Sequence, residues 1–424
     1  MGMRVEPSRN SEPKLLPRNR LGLIEVFAGI GSVARGFSEN GVYETLLLND
    51  IDPHAKAVYL SHAGPDAKYV DMDIRQLRYG AISKHVDGNN VIGLLGCPPC
   101  QGFSEAGPRQ ESDPRNRLVN SYFRLIDQMQ PNFFVMENVE RLLQYKAFQK
   151  KLQSARAQYN VWTGVLNSAL YGVPQTRTRA IVIGYHRDTG VIPTLPLPTH
   201  LGCVPVFDYG SQKFVDPSTK EGIISLGLLG DVRVDWSNEL PAYLLSHGKK
   251  LNKLVTLQDA LGDLPEAVEG GEPQSYKNEG SAYAKILRKG ASHAFDHEPW
   301  NHRPETIRRL KDIPEGGVLL GDGVRGRSRR YFSQAYSKLH RDGISRTITT
   351  NFHNPGSGRF LHYDKVRTLT LREAARLQGI PDSVRFNIVK TDAERLIGNA
   401  FPQPLARVIS DHISKQLGHA GAIE

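Results

Sequence analysis

The chain has 424 residues, 39% hydrophobic and 23% charged, with a formal net charge of +10. That length suits two or three domains with a sizeable core, and the composition excludes a low-complexity or disordered chain. No apolar run approaches the ~20 residues that span a bilayer, and the positive balance fits a polyanionic partner, nucleic acid being the simplest, or else a merely basic soluble protein.

Residues 1–20, MGMRVEPSRNSEPKLLPRNR, have no apolar signal core and read as a disordered basic tail. An intracellular protein with reduced thiols is therefore expected. LGLIEVFAGIGS (21–32) is an apolar run that stops at glycines, as a buried strand turning tightly into a helix would. VYETLLLNDID (42–52), NNVIGLLGCPPC (89–100), PNFFVMENV (131–139) and RAIVIGY (179–185) are further strands. The intervals between the first four suit helical crossovers, SYFRLIDQM among them. This alternation predicts an α/β fold with a doubly wound, mostly parallel sheet, whose ligands sit at the carboxyl ends of the strands.

After residue 190 the pattern changes. VIPTLPLPTH is Pro-rich, and residues 200–360 mix short apolar runs with Gly, Asn and Ser, as a second and less regular domain would. Residues 321–347 carry Arg325, Arg327, Arg329, Arg330, Lys338, Arg341 and Arg346 with Tyr331, Phe332 and Tyr336 interleaved. They read as a strip for a phosphate backbone or as a solvated charged loop. TLREAARLQGIPD (370–382) predicts an amphipathic helix, and TDAERLIGNAFPQPLARVISDHISKQL predicts another that closes the chain.

Several motifs carry chemistry. Gly29, Gly31 and Ala34 form a Gly-x-Gly-x-x-Ala turn after a strand, with Phe27 before it. Glycines there let a cofactor approach the backbone. Asp50 follows about twenty positions on, where an acid can bind ribose hydroxyls, and Asp73 can serve the base of the same nucleoside. The pattern fits NAD as well as S-adenosylmethionine. GCPPCQGFS (96–104) holds Cys97 and Cys100 about two prolines. A redox pair, a metal ligand, a buried structural thiol and a reactive thiolate all remain open at this point. Glu137 ends the strand FFVMENV, where a partly desolvated carboxyl can share a proton near neutrality. Gln175, Arg177 and Arg179 alternate in QTRTR, and period two places them on one face of a strand.

Together these stretches resemble the cytosine-5 DNA methyltransferase family. FAGIGSVARGF, NDID, MDI, GCPPCQGFS, MENV, QTRTR, RTLTLREAARLQGIPD and IGNAFPQPLA occur in the family's order, and residues 191–345 fall where it carries its variable recognition region. The resemblance implies S-adenosylmethionine as cofactor, lined by Phe27, Ala28, Gly29, Gly31, Ser32, Asp50, Ile51, Asp73, Ile74, Pro99, Asn399 and Ala400. It implies Cys100 as the nucleophile, Glu137 at cytosine nitrogen 3, and Arg179 at the ring carbonyl with Arg177 beside it. Gln101, Ser104, Gln175, Arg329 and Arg330 are then expected to contact the base or the DNA, with loop 104–118 closing over the flipped nucleotide. Cys97 has no assigned role. Asp50 stands for the commoner Glu, and Ala400 and Phe401 for small or β-branched residues.

The resulting expectation is a tail (1–20), a catalytic domain (21–190), a recognition domain (191–390) and a C-terminal segment returning to the catalytic domain (391–424). The partner is double-stranded DNA, with no metal and no membrane. A monomer in a bacterial or archaeal cytoplasm, associated with the nucleoid and paired with a restriction endonuclease of the same specificity, fits this reading. An RNA cytosine-5 methyltransferase, a catalytically silent DNA-binding protein and a nicotinamide oxidoreductase are the alternatives.

Overall fold

Short, almost wholly apolar runs at the start of the chain form strands buried on both faces. The structure, a computed structural model, describes residues 20–63, 67–84, 86, 91–99, 118–230, 239–319 and 334–418. β1 is Leu21–Val26, β2 Tyr43–Asn49, β3 Tyr69–Val70, β4 Val91–Gly96 and β5 Phe133–Asn138. Helices α1 (Ser32–Ser38), α2 (Pro53–Ala63), α3 (Tyr79–Ser83) and α4 (Leu118–Met129) alternate with them. Then come α5 (Lys146–Ala155), β6 (Tyr159–Asn167), β7 (Gln175–Thr176) and β8 (Thr178–His186).

The main sheet has seven strands in the order β3-β2-β1-β4-β5-β8-β6. β1 to β5 pair in parallel; β8 runs antiparallel to β5 and to β6. This is a doubly wound, mostly parallel sheet, and its side chains divide by parity. Leu23, Leu95, Val135, Ile181 and Ile183 pack against Val33 and Phe37 of α1 and Leu405, Ile409 and Ile413 of the helix Gln403–Gln416. On the other face Ile24, Leu94, Phe134, Met136 and Val182 pack against Tyr122, Phe123 and Ile126 of α4 and Phe148 and Leu152 of α5. Helix Gln403–Gln416 comes so close to α1 that a Cβ on Gly36 would lie 2.6 Å from that of Ala406, so only glycine fits.

A third core joins Val255, Leu257 and Leu261 to Phe352, Leu371, Leu377 and Ile397, and reaches Ile30, Ala55 and Val58 beside the first turn. Residues 200–230 and 239–319 supply short strands and helices. Ser345–Arg346 pairs in parallel with β7. No described helix is long and apolar enough to cross a membrane.

The structure corrects several expectations. β3 and β6 were not foreseen. Gln175 to Arg179 is no single strand: β7 ends at Thr176, and β8 begins at Thr178. The helix at 370–382 spans Leu371–Leu377 and is buried all round rather than amphipathic. Its charges are neutralised inside: Arg376 pairs with Asp263 and Asp382, Arg372 with Asp296, and Glu373 with Arg367. Two helices, Lys390–Asn399 and Gln403–Gln416, close the chain instead of one, broken at Ala400–Pro402.

Candidate active site

The turn between β1 and α1 is built for close approach. Phe27, Gly29 and Gly31 all have positive φ, at 54, 52 and 74°. A Cβ on Gly29 would meet nothing within 4 Å, so its backbone faces open space, whereas at Gly31 Tyr59 and Leu48 leave no room. The turn is tied down from behind. Gly29 N donates to Asp50 Oδ2 at 2.8 Å, and Tyr69 Oη donates to Gly29 O at 2.8 Å. Asp52 N donates to the other Asp50 oxygen at 3.0 Å. Burial pushes the Asp50 carboxyl up, against these backbone donors. Its remaining lone pairs are available to ribose hydroxyls.

The other residues expected around the cofactor separate into those with reach and those that form the wall. Ile51 stands 65% exposed beside Asp50, as an apolar plate for a base would. Asp73 is bonded by Arg75, whose guanidinium holds its carboxyl below the usual range. Pro99 is half-buried and Asn399 exposed, while Ala28, Ser32, Ile74 and Ala400 are buried. Ala400 shares a core with Ile30 of the turn, and Phe401 packs with Val33 and Phe37. An open glycine backbone, two carboxylates and an exposed Ile fit a nucleoside-bearing cofactor.

Beside this turn, one sheet face carries a row of polar groups on adjacent strands: Glu25 on β1, Cys97 just past β4, Glu137 on β5 and Arg179 on β8. Each shares parity with its strand's apolar residues on the α1 face. Arg179 Nε meets Glu137 Oε1 at 2.8 Å, with the side chains 15% and 14% exposed. Arg179 Nη1 also donates to Thr178 O at 2.7 Å. Glu25 is fully buried; it accepts Ala34 N at 2.8 Å, and burial raises its carboxyl from 4.5 to about 8. Burial, and then the neighbouring Glu137 charge, push the Cys97 thiol up.

Gln175 and Arg177 both bond to the C-terminal half. Gln175 Nε2 donates to Leu377 O at 2.9 Å and Gln378 Oε1 at 3.0 Å, and its Oε1 accepts Ile348 N at 2.8 Å. Arg177 Nη1 donates to Ile348 O and Gly398 O at 3.3 and 3.2 Å. Cys100, Gln101, Ser104, Arg329 and Arg330, and loop 104–118 up to its last residue, lie outside the described residues.

Asn138 was not foreseen. Its Nδ2 donates to Pro98 O at 2.9 Å and its Oδ1 accepts Val139 N at 2.9 Å, all but buried. It fastens the Cys97–Pro99 turn to the end of β5. A polar amide ending the apolar run FFVMEN was the available signal.

The sequence profile of the C-5 cytosine-specific DNA methylases matches residues 21–415. The chain is 28% identical to type II methyltransferase M.DdeI of Desulfomicrobium norvegicum, covering 93% of this chain and 88% of that protein. It is 28% identical to M1.HphI of Haemophilus parahaemolyticus (92% and 86% covered). Against DNA (cytosine-5)-methyltransferase 1 of Mus musculus, also 28% identical, 95% of this chain matches 28% of the other. Among solved structures, a candidate DNA modification methyltransferase encoded within an E. coli prophage superposes with a TM-score of 0.68 at 21% identity, covering 94% of this chain and 99% of that one. The Dnmt2 methyltransferase of S. pombe gives 0.55 at 16% identity, with the same coverage.

Proposed function

The chain belongs to the C-5 cytosine-specific DNA methylase family, and on that premise we propose how its own residues divide the reaction. The enzyme methylates carbon 5 of cytosine in DNA. S-adenosylmethionine, when bound, supplies an electrophilic methyl group. The backbone at Gly29, the carboxylates of Asp50 and Asp73, and the exposed face of Ile51 would hold it, walled by Phe27, Gly31 and Ala400.

Cytosine carbon 5 is too electron-poor to attack a methyl group unaided. The Cys100 thiolate adds to carbon 6, and Glu137 shares a proton with ring nitrogen 3, so that carbon 5 becomes enamine-like. After methylation a base removes the carbon-5 proton, the C–S bond breaks, the thiolate leaves, and the proton on nitrogen 3 returns. Arg179 donates to the ring carbonyl oxygen and keeps Glu137 turned toward the base. Asn138 fixes the turn that leads to Cys100. Gln175 and Arg177 act indirectly, by holding the segment around Ile348 and Gly398 against the site. Because the reacting atoms lie inside the base stack, the cytosine must be flipped out. Gln101, Ser104, Arg329 and Arg330 are the residues assigned to DNA.

The observation that carries this reading is the Glu137–Arg179 pair, one carboxylate and one guanidinium meeting at the ends of β5 and β8. The recognition domain is assigned to 191–390 and the returning segment to 391–424. We assign a monomer acting on nucleoid DNA in a bacterial or archaeal cell, paired with a restriction endonuclease of the same specificity; the pairing is suggested by the type II names of two relatives. The test is transfer of labelled methyl from S-adenosylmethionine to duplex DNA and to transfer RNA, followed by base analysis. Label as 5-methylcytosine in DNA is expected; label in RNA alone would overturn the partner.

A further inference from the structure

Cys97 stands at the centre of the polar row without a role in the reaction above. β4 and β5 pair in parallel up to Gly96 and Met136. One step further on each strand brings Cys97 beside Glu137, and the next step brings Pro98 to the Asn138 amide. Both Cys97 and Glu137 line one small cavity, closed behind by Val33, Phe37, Phe401 and Ile409. The thiol and the Glu137 carboxylate are neighbours in this cavity, and the Glu137 charge acts on the thiol. Glu25 from β1, Arg177 from the β7–β8 junction and Tyr122 from α4 are the other ionisable groups acting on this thiol.

We propose that Cys97 is a positioning residue for Glu137: its S–H donates to the carboxylate from the β4 side while Arg179 holds Oε1 from the β8 side. A carboxyl near the end of a strand has several rotamers open to it, and a hydrogen bond from each neighbouring strand selects one. The apolar cavity wall offers Glu137 no competing partner there. The inference rests on the role of Glu137 given above.

The test compares wild type, Cys97→Ala, Cys97→Ser, Glu137→Gln and the double variant Cys97→Ala/Glu137→Gln in steady-state methyl transfer to duplex plasmid DNA. Losing one net hydrogen bond predicts a fall in kcat of about 2–10-fold for Cys97→Ala. KM for DNA and for S-adenosylmethionine should not change. The hydroxyl of Cys97→Ser should restore most of the rate. The double variant should be no slower than Glu137→Gln, because Cys97 acts only through that carboxylate. An unchanged kcat in Cys97→Ala, no rescue by serine, or the same loss repeated on the Glu137→Gln background would overturn the proposal. A Glu137→Gln protein as active as wild type would instead overturn the reading of Glu137 on which it rests. Should Cys97→Ala melt early, Cys97→Val fills the space without a donor and takes its place.

Discussion

Replacing Asn138 by Asp isolates one hydrogen bond. The Asp oxygen that keeps the Oδ1 position still accepts Val139 N at 2.9 Å, but the other oxygen faces Pro98 O, 2.9 Å from the present amide nitrogen. A donor becomes an acceptor in a site that is 2% exposed. Leaving a buried carbonyl unpaired costs about 1–3 kcal/mol, or roughly 5–150-fold if all of it is lost from the organised turn. Because Pro98 is two residues from Cys100, the loss should appear in the chemical step. We expect kcat for methyl transfer to fall about 10–100-fold in Asn138→Asp, with KM for S-adenosylmethionine within about threefold. A single-turnover assay with labelled cofactor and a thermal melt would measure both. An Asn138→Asp protein with wild-type kcat and an unchanged melt would refute the view that this amide organises the turn.

Other outcomes follow from the same geometry. Gly29→Ala puts a methyl into the open space and strains a residue at φ 52° by about 1–2 kcal/mol; calorimetry should show S-adenosylmethionine binding weakened at least ~10-fold with DNA binding unchanged. Folded Glu25 keeps its proton up to about pH 8, whereas the unfolded carboxyl releases it near 4.5. Its contribution is therefore fully present below 4.5 and is lost as pH rises toward 8, by up to about 1.4 kcal/mol per unit. Glu25→Gln lacks this slope, so urea midpoints of variant and wild type should diverge between pH 5 and 8; parallel curves would contradict the assignment. Cys203 is exposed, while burial pushes the Cys97 thiol well up. Peptide mapping after iodoacetamide treatment at pH 8 should find Cys203 modified and Cys97 protected until the chain unfolds.

The apolar runs of β1, β2, β4, β5 and β8 were legible because a central strand buried on both faces is mostly apolar on each. β6 was not, because Tyr159–Asn167 is a sheet edge with six consecutive half-buried residues and no clean period. The direction of β8 was also hidden, because α5 leads into the edge strand β6, from which the chain turns back to form β8. Glu137 was legible as the end of the apolar run FFVMENV, which forms β5. Period two placed Gln175, Arg177 and Arg179 on one face of a single strand. It failed for Gln175 and Arg177, because β7 pairs with Ser345–Arg346, a partner far away in sequence. Arg372, Glu373 and Arg376 read as a solvated helix face because two of their counter-charges, Asp263 and Asp296, come from segments that only folding brings near. Asn138 and Cys97 were invisible as a pair of rungs for the same reason: their meaning lies in the β4–β5 register.

The account stands or falls on which thiol attacks the base. Duplex DNA carrying 5-fluorocytosine cannot lose fluorine at the elimination step, so the enzyme should remain bonded to carbon 6. After incubation with S-adenosylmethionine, digestion and mass mapping should place the nucleotide on the peptide containing Cys100. An adduct on the Cys97 or Cys203 sulfur, or methylated product with no adduct at all, would contradict the mechanism.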